Sequence, residues 1–185
     1  MRIIAGSLRG RRLISPPGEA VRPTPDRVRE SVFNILGQWL DGMDFLDLFS
    51  GSGAMGLEAA SRGARRVVLV ERDPLACETV EHNIASLGLA GVVDLVRGDV
   101  LESLASLGRG GSTFDVVFAD PPYSELPSTL EAVLAALAGG SLVAPDGIVV
   151  LQARRGRDLP RHPAFAARAP RHYGITSILI HDRQT

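Results

Sequence analysis

Asp44-Phe45-Leu46-Asp47-Leu48-Phe49-Ser50-Gly51-Ser52-Gly53-Ala54-Met55-Gly56 runs from an apolar strand through a glycine turn into a helix. The glycines let a ligand approach the backbone, and the first turn of the helix offers N–H groups with no partner inside it. Outward from this stretch the same unit repeats. Apolar strands are predicted at residues 45–49, 67–70, 92–96, 116–119 and 148–151, with helices between them near 56–61, 75–87, 101–107 and 130–137. Such alternation predicts an α/β fold, doubly wound around a mostly parallel sheet. Asp73-Pro74 suits the start of the second of these helices, because aspartate caps and proline fits the first helical position. The C-terminal end breaks the pattern. Residues 164–173 and 175–181 read as two strands joined at Gly174 with no room for a crossover helix, so an antiparallel hairpin closes the sheet.

Upstream, residues 2–5 and 11–14 are short extended pieces around Gly6 and Gly10, followed by Pro16, Pro17, Pro23 and Pro25, which stop any helix. Asp26 then caps a helix whose apolar face contains Val28, Val32, Ile35, Leu36, Trp39 and Leu40, with Arg27 and Glu30 opposite; Trp39 is expected in the core. The expected organisation is a basic arm over residues 1–25 and one catalytic domain over 26–185.

A chain of 185 residues that is 45% hydrophobic can build one core of useful size, and its composition excludes a disordered or collagen-like protein. Cys77 is the only cysteine, so no internal disulfide forms and a reducing, cytoplasmic setting is expected. The N-terminus lacks the apolar stretch of a signal peptide, and the aliphatic runs are strand-sized, so no membrane association is expected. The formal charge of -1 conceals an uneven distribution. Residues 1–30 hold seven arginines (Arg2, Arg9, Arg11, Arg12, Arg22, Arg27 and Arg29) against three acids, and the remainder is net acidic. All 20 basic residues are arginine, whose guanidinium fork grips phosphate through two donors.

The glycine loop is a cofactor loop, but it leaves the cofactor open. Gly51-x-Gly53-x-x-Gly56 satisfies the dinucleotide fingerprint, and Glu71, at the end of the second strand, is placed to accept ribose hydroxyls. NAD and S-adenosylmethionine both carry an adenosine ribose, so loop and acid together do not separate them. The separation comes from Asp115-Val116-Val117-Phe118-Ala119-Asp120-Pro121-Pro122-Tyr123, where an acid, two prolines and a tyrosine end the fourth strand. The prolines remove two N–H donors and leave carbonyl oxygens and the Asp120 carboxylate as an acceptor-only patch. That patch suits an exocyclic base amine, a weak nucleophile that gains from being oriented by acceptors.

Asp120-Pro121-Pro122-Tyr123 resembles the Asp/Asn-Pro-Pro-Tyr/Phe motif of S-adenosylmethionine-dependent amino methyltransferases. Arg2-Ile3-Ile4-Ala5-Gly6, the run from Arg22-Pro23-Thr24 to Glu30, Phe33-Asn34-Ile35-Leu36, the run from Gly56-Leu57-Glu58 to Gly63-Ala64, and Tyr173-Gly174 together resemble the RsmD family, over nearly the whole chain. The resemblance implies a Rossmann-like class I methyltransferase sheet and transfer of methyl from S-adenosylmethionine, leaving S-adenosylhomocysteine, to N2 of a specific guanine in 16S ribosomal RNA. It implies cofactor contacts from Phe49, Gly51, Ser52 and Gly53, ribose hydroxyls on Glu71, and adenine on Asp99 and the Val100 N–H, with Asp47 and Arg72 nearby. Asp99 alone reads equally as a helix N-cap, and the two roles are compatible. In the same reading Asp120 and the Pro121 carbonyl hold the amine and Tyr123 stacks the base.

The expected partner is 16S RNA within a small-subunit assembly particle, gripped by the arginines of the arm, and the protein is expected to act as a monomer. The competing readings are an amino methyltransferase for DNA adenine or protein glutamine, a nicotinamide-dependent oxidoreductase, and a non-catalytic RNA-binding module. His82, His162, His172 and His181 lack metal-ligand spacing, so no metal is expected. Asn83 is expected to be exposed on its helix, and residues 154–163 carry no recognisable motif.

Overall fold

The structure, a computed structural model, describes residues 1–16, 26–122 and 127–184. The chain divides into two compact units, Met1–Gly98 and Asp99–Thr185.

In the first unit, strands β1 (Asp44–Leu48), β2 (Arg66–Glu71) and β3 (Val93–Arg97) pair in parallel in the order β3-β2-β1, with Phe45 opposite Val67 and Val67 opposite Val93. β1 is buried along its whole length, as expected of a parallel strand covered on both faces. Helix α1 (Asp26–Leu36) precedes the sheet, and α2 (Ala54–Ser61) and α3 (Pro74–Leu87) connect its strands. Asp73 caps α3 as its sequence predicts: the carboxylate accepts from Ala76 N at 2.8 Å and Pro74 stands at the start.

α1 is shorter than the apolar spacing predicts. Gly37, at φ 106°, takes the chain out of the helix, so Trp39 lies beyond it and is 63% exposed rather than in the core. Leu40 still reaches the interior, by way of a bend in which its N–H donates to Arg62 O at 2.9 Å.

The two extended pieces near the N-terminus form a small antiparallel ladder around an Arg2–Arg12 bridge, with Ile3 N donating to Arg11 O and Gly10 N to Ile3 O, both at 2.9 Å. Ile3 and Leu13 are buried. This ladder is pinned to α2. The buried Glu58 carboxylate accepts from Ile4 N at 2.7 Å and Ala5 N at 2.9 Å, and also pairs with Arg62 Nε at 2.8 Å. Gly6, at φ 84°, passes so close to α2 that a Cβ there would stand 1.8 Å from Ser61 O, an approach only glycine permits.

In the second unit, β4 (Phe114–Ala119) and β5 (Val143–Arg154) are parallel, and β8 (Thr176–Arg183) runs antiparallel to β5. α4 (Val100–Arg109) and α5 (Pro127–Gly139) are its helices. β5 starts before the predicted 148–151 stretch. The β4–β5 register slips between Phe114 and Val116, where the β5 partner jumps from Val143 to Ile148 and Asp146 takes φ 63°.

The closing strands are antiparallel, with one refinement. The stretch before Gly174 is two short strands, β6 (Phe165–Ala167) and β7 (Arg171–Tyr173), both paired with β8. Pro170, which cannot donate to a ladder, lies in the break. Tyr173 faces Thr176 across the two-residue turn Gly174-Ile175, with Gly174 at φ 59°, the role of the first central residue in a type II′ hairpin. Among the described residues no helix is long and apolar enough to cross a membrane.

Candidate active site

The loop after β1 is shaped by positive φ angles. Phe49 (63°), Gly51 (57°) and Gly53 (77°) all lie in the left-handed region. For glycine this is free. For Phe49 it is a strained conformation of the kind that persists where the surroundings over-determine it, often at ligand sites. Ser50 N donates to Val70 O at 3.0 Å and Gly53 N to Ser50 O at 2.8 Å, which closes the turn.

Two carboxylates fasten the loop. Asp47, 2% exposed, accepts from Gly56 N at 3.0 Å and so satisfies an N–H of the first turn of α2. Glu71, at the end of β2, accepts from Gly51 N at 2.7 Å on one oxygen and from Arg72 N (2.8 Å) and Asp73 N (2.9 Å) on the other. Sequence spacing placed Glu71 near the loop, and the structure joins them directly. A carboxylate offers about four acceptor positions, so three bonds leave Glu71 one more without rearrangement. Arg72 thus contributes its backbone to the site through Glu71.

The packing beneath the loop explains its third glycine. A Cβ on Gly56 would meet Leu69 Cδ2 at 2.2 Å and Val67 Cγ1 at 2.8 Å, so only glycine lets α2 lie this close to β2. Ser52 is buried, and its carbonyl accepts from Asn83 Nδ2 at 3.0 Å.

Asn83 corrects the expectation of an exposed residue. It is 1% exposed, and its amide also accepts from Ile14 N at 3.0 Å and donates to Ile14 O at 3.1 Å. Its position in α3 sets the side chain against the loop and the N-terminal ladder, and a buried amide is tolerable because all three bonds are made. Helical spacing could not reveal that. No sequence signal marked Ser50: its hydroxyl is buried with no hydrogen-bond partner among the described residues, an open polar atom within the glycine loop.

In the second unit Asp99 caps α4, accepting from Leu101 N at 2.8 Å and Glu102 N at 3.4 Å. Both bonds fall on Oδ1, so the cap does not use Oδ2 and leaves it able to meet a ligand amine. Val100, the first residue of α4, is buried. Asp120 follows β4 and is half-buried, and its Oδ2 accepts from Gln152 Nε2 at 2.5 Å. Gln152 had no signature in the sequence; β5 brings it there because the Ala119–Leu151 pair sets the next two residues side by side. Pro121 is half-buried, while Tyr123 lies outside the described residues.

The arginines of the arm differ from one another. Arg2, Arg9, Arg11, Arg12 and Arg27 are exposed, Arg11 with one guanidinium nitrogen on Ser86 O at 2.6 Å. Arg22 lies outside the described residues. Arg29 is 0% exposed: it donates to Arg2 O and pairs with Asp26, each at 2.8 Å, and burial pulls its pKa below that of an ordinary arginine. A guanidinium so enclosed fastens α1 to the N-terminal ladder and presents no donor to solvent. Cys77 is buried, and burial raises its thiol pKa.

A parallel strand–loop–helix unit with an acid at the end of β2, and a second unit finished by antiparallel strands, is the Rossmann-like architecture of class I methyltransferases. A solved putative methyltransferase from Escherichia coli shares it, with a TM-score of 0.86 and 33% identity over 100% of this chain and 98% of that one. The RsmD family, whose matching profile is described as conserved hypothetical protein 95, covers residues 1–182, and the chain belongs to it. A putative rRNA methyltransferase of Bacillus subtilis is 36% identical over the full length of both chains. The ribosomal RNA small subunit methyltransferase D of Escherichia coli K12 is 36% identical over 164 residues, 89% of this chain and 80% of that one.

Proposed function

We propose that this protein transfers a methyl group from S-adenosylmethionine to N2 of one guanine in 16S ribosomal RNA, acting as a cytoplasmic monomer on a small-subunit assembly particle. The observation that carries the reading is Asp120, half-buried at the end of β4 with one carboxylate oxygen already engaged, in a chain whose relatives bear the names of ribosomal RNA methyltransferases.

The loop's chemistry fits the cofactor. Glu71 has an acceptor position left for a ribose hydroxyl, Asp99 has an oxygen its cap does not use, and the buried Ser50 hydroxyl is unpaired among the described residues. Phe49, Gly51, Ser52 and Gly53 would line the methionine and ribose side, and Asp99 with the Val100 N–H the adenine side. When bound, S-adenosylmethionine supplies an electrophilic methyl on a sulfonium. Asp120 and the Pro121 carbonyl accept the N–H groups of the guanine amine and aim its lone pair, while Tyr123 stacks the base. Stacking of about 1–3 kcal/mol offsets much of the cost of unstacking the nucleotide. No metal and no covalent enzyme intermediate take part in this reading. Arg2, Arg9, Arg11, Arg12, Arg22 and Arg27 on the arm of residues 1–25 and the start of α1 grip phosphates, and Arg29 holds that surface in place from within.

The test compares wild type with Asp120→Ala on 16S RNA from a strain lacking the protein. S-adenosylhomocysteine should stabilise both proteins thermally, and the variant should transfer methyl about 10²–10³ times more slowly, as when one oriented polar group is removed from a reacting centre. Wild-type rates in the variant, stabilisation by NAD in place of S-adenosylhomocysteine, or a strain without the protein that keeps every methylguanine would each overturn the reading.

A further inference from the structure

Gln152 stands out as a buried polar side chain that the proposed chemistry does not use. It lies on β5, 3% exposed, and its register partner on β8 is Ile178. One end of its amide is engaged: Nε2 donates to Asp120 Oδ2 at 2.5 Å. The orientation is dictated by the neighbour, because an ionised carboxylate only accepts and would repel Oε1. The other end, Oε1, is buried without a hydrogen-bond partner among the described residues.

Those two facts point in one direction. A buried amide oxygen with no donor is a cost that an apolar side chain of the same length would not carry, so packing alone does not account for a glutamine here. The return lies at Asp120. A carboxylate at a strand end can rotate about its side-chain torsions. A charge-assisted bond to one of its oxygens from an amide rooted in the adjacent strand fixes that rotation and leaves Oδ1 at a set angle. The amide is itself rooted in a strand paired on both sides, to β4 and to β8, so the support is stiff.

The geometry points to Gln152 as a positioning residue for the reaction: its amide N–H holds the Asp120 carboxylate oriented toward the substrate amine. This rests on the methyl-transfer reading above and deepens it.

Three variants test it in the full-length protein, with 16S RNA as substrate. Gln152→Met keeps the length of the side chain and removes both polar ends. Its unfolding midpoint and its thermal response to S-adenosylhomocysteine should stay near wild type, with KM for S-adenosylmethionine within about twofold, while kcat falls roughly 10- to 100-fold, the scale of a misoriented reacting group. Gln152→Glu sets a second carboxyl against Asp120. Protonated, that carboxyl can donate as the amide does; ionised, it repels. Its kcat should therefore approach wild type at the acid end of the profile and fall steeply as pH rises, a limb that neither wild type nor Gln152→Met shows. Asp120→Ala reports separately on the underlying reading.

A folded Gln152→Met protein with wild-type kcat, or a Gln152→Glu profile that overlays wild type, overturns the positioning role while methyl transfer through Asp120 stands. Wild-type kcat in Asp120→Ala, or no transfer to 16S RNA by the wild type, overturns the reading first and the inference with it. A structural role alone would lower the unfolding midpoint of Gln152→Met without the split between kcat and KM, and that pattern also counts against the proposal.

Discussion

The two units hold their most important carboxylates in opposite ways. Glu71 in the first unit is gripped by three backbone N–H groups, from Gly51, Arg72 and Asp73, so its position follows from the course of the chain. Asp120 in the second unit takes the side-chain amide of Gln152 from the neighbouring strand. In the first unit Glu58, Asp47 and Asn83 likewise take main-chain N–H groups. Backbone donors make a site that tolerates change in nearby side chains and fails when the chain is displaced. A side-chain donor makes one that single substitutions can disable without unfolding.

The contrast is most exposed at Glu58. Glu58→Ala leaves the buried Arg62 guanidinium without its carboxylate and the N-terminal ladder without its pins at Ile4 and Ala5. A loss of about 3–5 kcal/mol in urea unfolding is expected, as for one partner removed from a buried pair. A loss below 1 kcal/mol would show that backbone pinning is not what holds this unit.

Next in size is Gly56→Ala. The added methyl would enter Leu69 and Val67, so α2 must move from β2. Overpacking of this kind costs about 1–3 kcal/mol, and because Gly56 N is tied to Asp47, the glycine loop after β1 moves with it. Calorimetric titration with S-adenosylhomocysteine should show weaker binding along with the lower stability. Unchanged affinity would mean that the loop's geometry is set elsewhere.

The smallest effect is expected from His181, in the second unit. Its ring is 0% exposed, with Nε2 on Pro160 O at 3.0 Å, and burial lowers its pKa below the ordinary 6.5. Below about 6.5 the unfolded chain therefore binds a proton that the folded protein resists, so its contribution to stability is full above that pH and is lost as pH falls toward the lowered folded value. Urea midpoints measured from pH 7.5 to 5 should fall in wild type and fall less in His181→Phe. Parallel curves would show that burial of the His181 ring imposes no proton-linked cost.

Much of this architecture was legible in the residues. Glycine spacing after an apolar strand announced the loop, Asp73-Pro74 announced the start of α3, and the short spacing around Gly174 required antiparallel closure. The errors have a common origin. Trp39 fits the apolar spacing of α1, yet Gly37 ends the helix first. Asn83 reads as an exposed polar residue on α3, yet it bonds Ile14, 69 residues away in sequence, and Ser52, 31 away. Arg29 reads as one more arginine of a basic arm, yet Arg2 O and Asp26 draw it inside. Periodicity reports which face of a helix is apolar, but it cannot report which polar group will find a buried partner.

By itself the sequence determined the class of fold, the glycine loop after β1, the acid at the end of β2 and the Asp-Pro-Pro turn at Asp120. Each is a local pattern whose residues stand close together or at a fixed spacing along the chain, and local sterics and hydrogen-bonding capacity suffice to read it. The tertiary structure alone decided that Glu71 grips Gly51, that Glu58 and Asn83 fasten the N-terminal ladder, that Arg29 is internal and that Gln152 meets Asp120. Those pairings depend on strand register and on the distance between α2 and β2, which arise only when segments far apart in the chain are packed against one another.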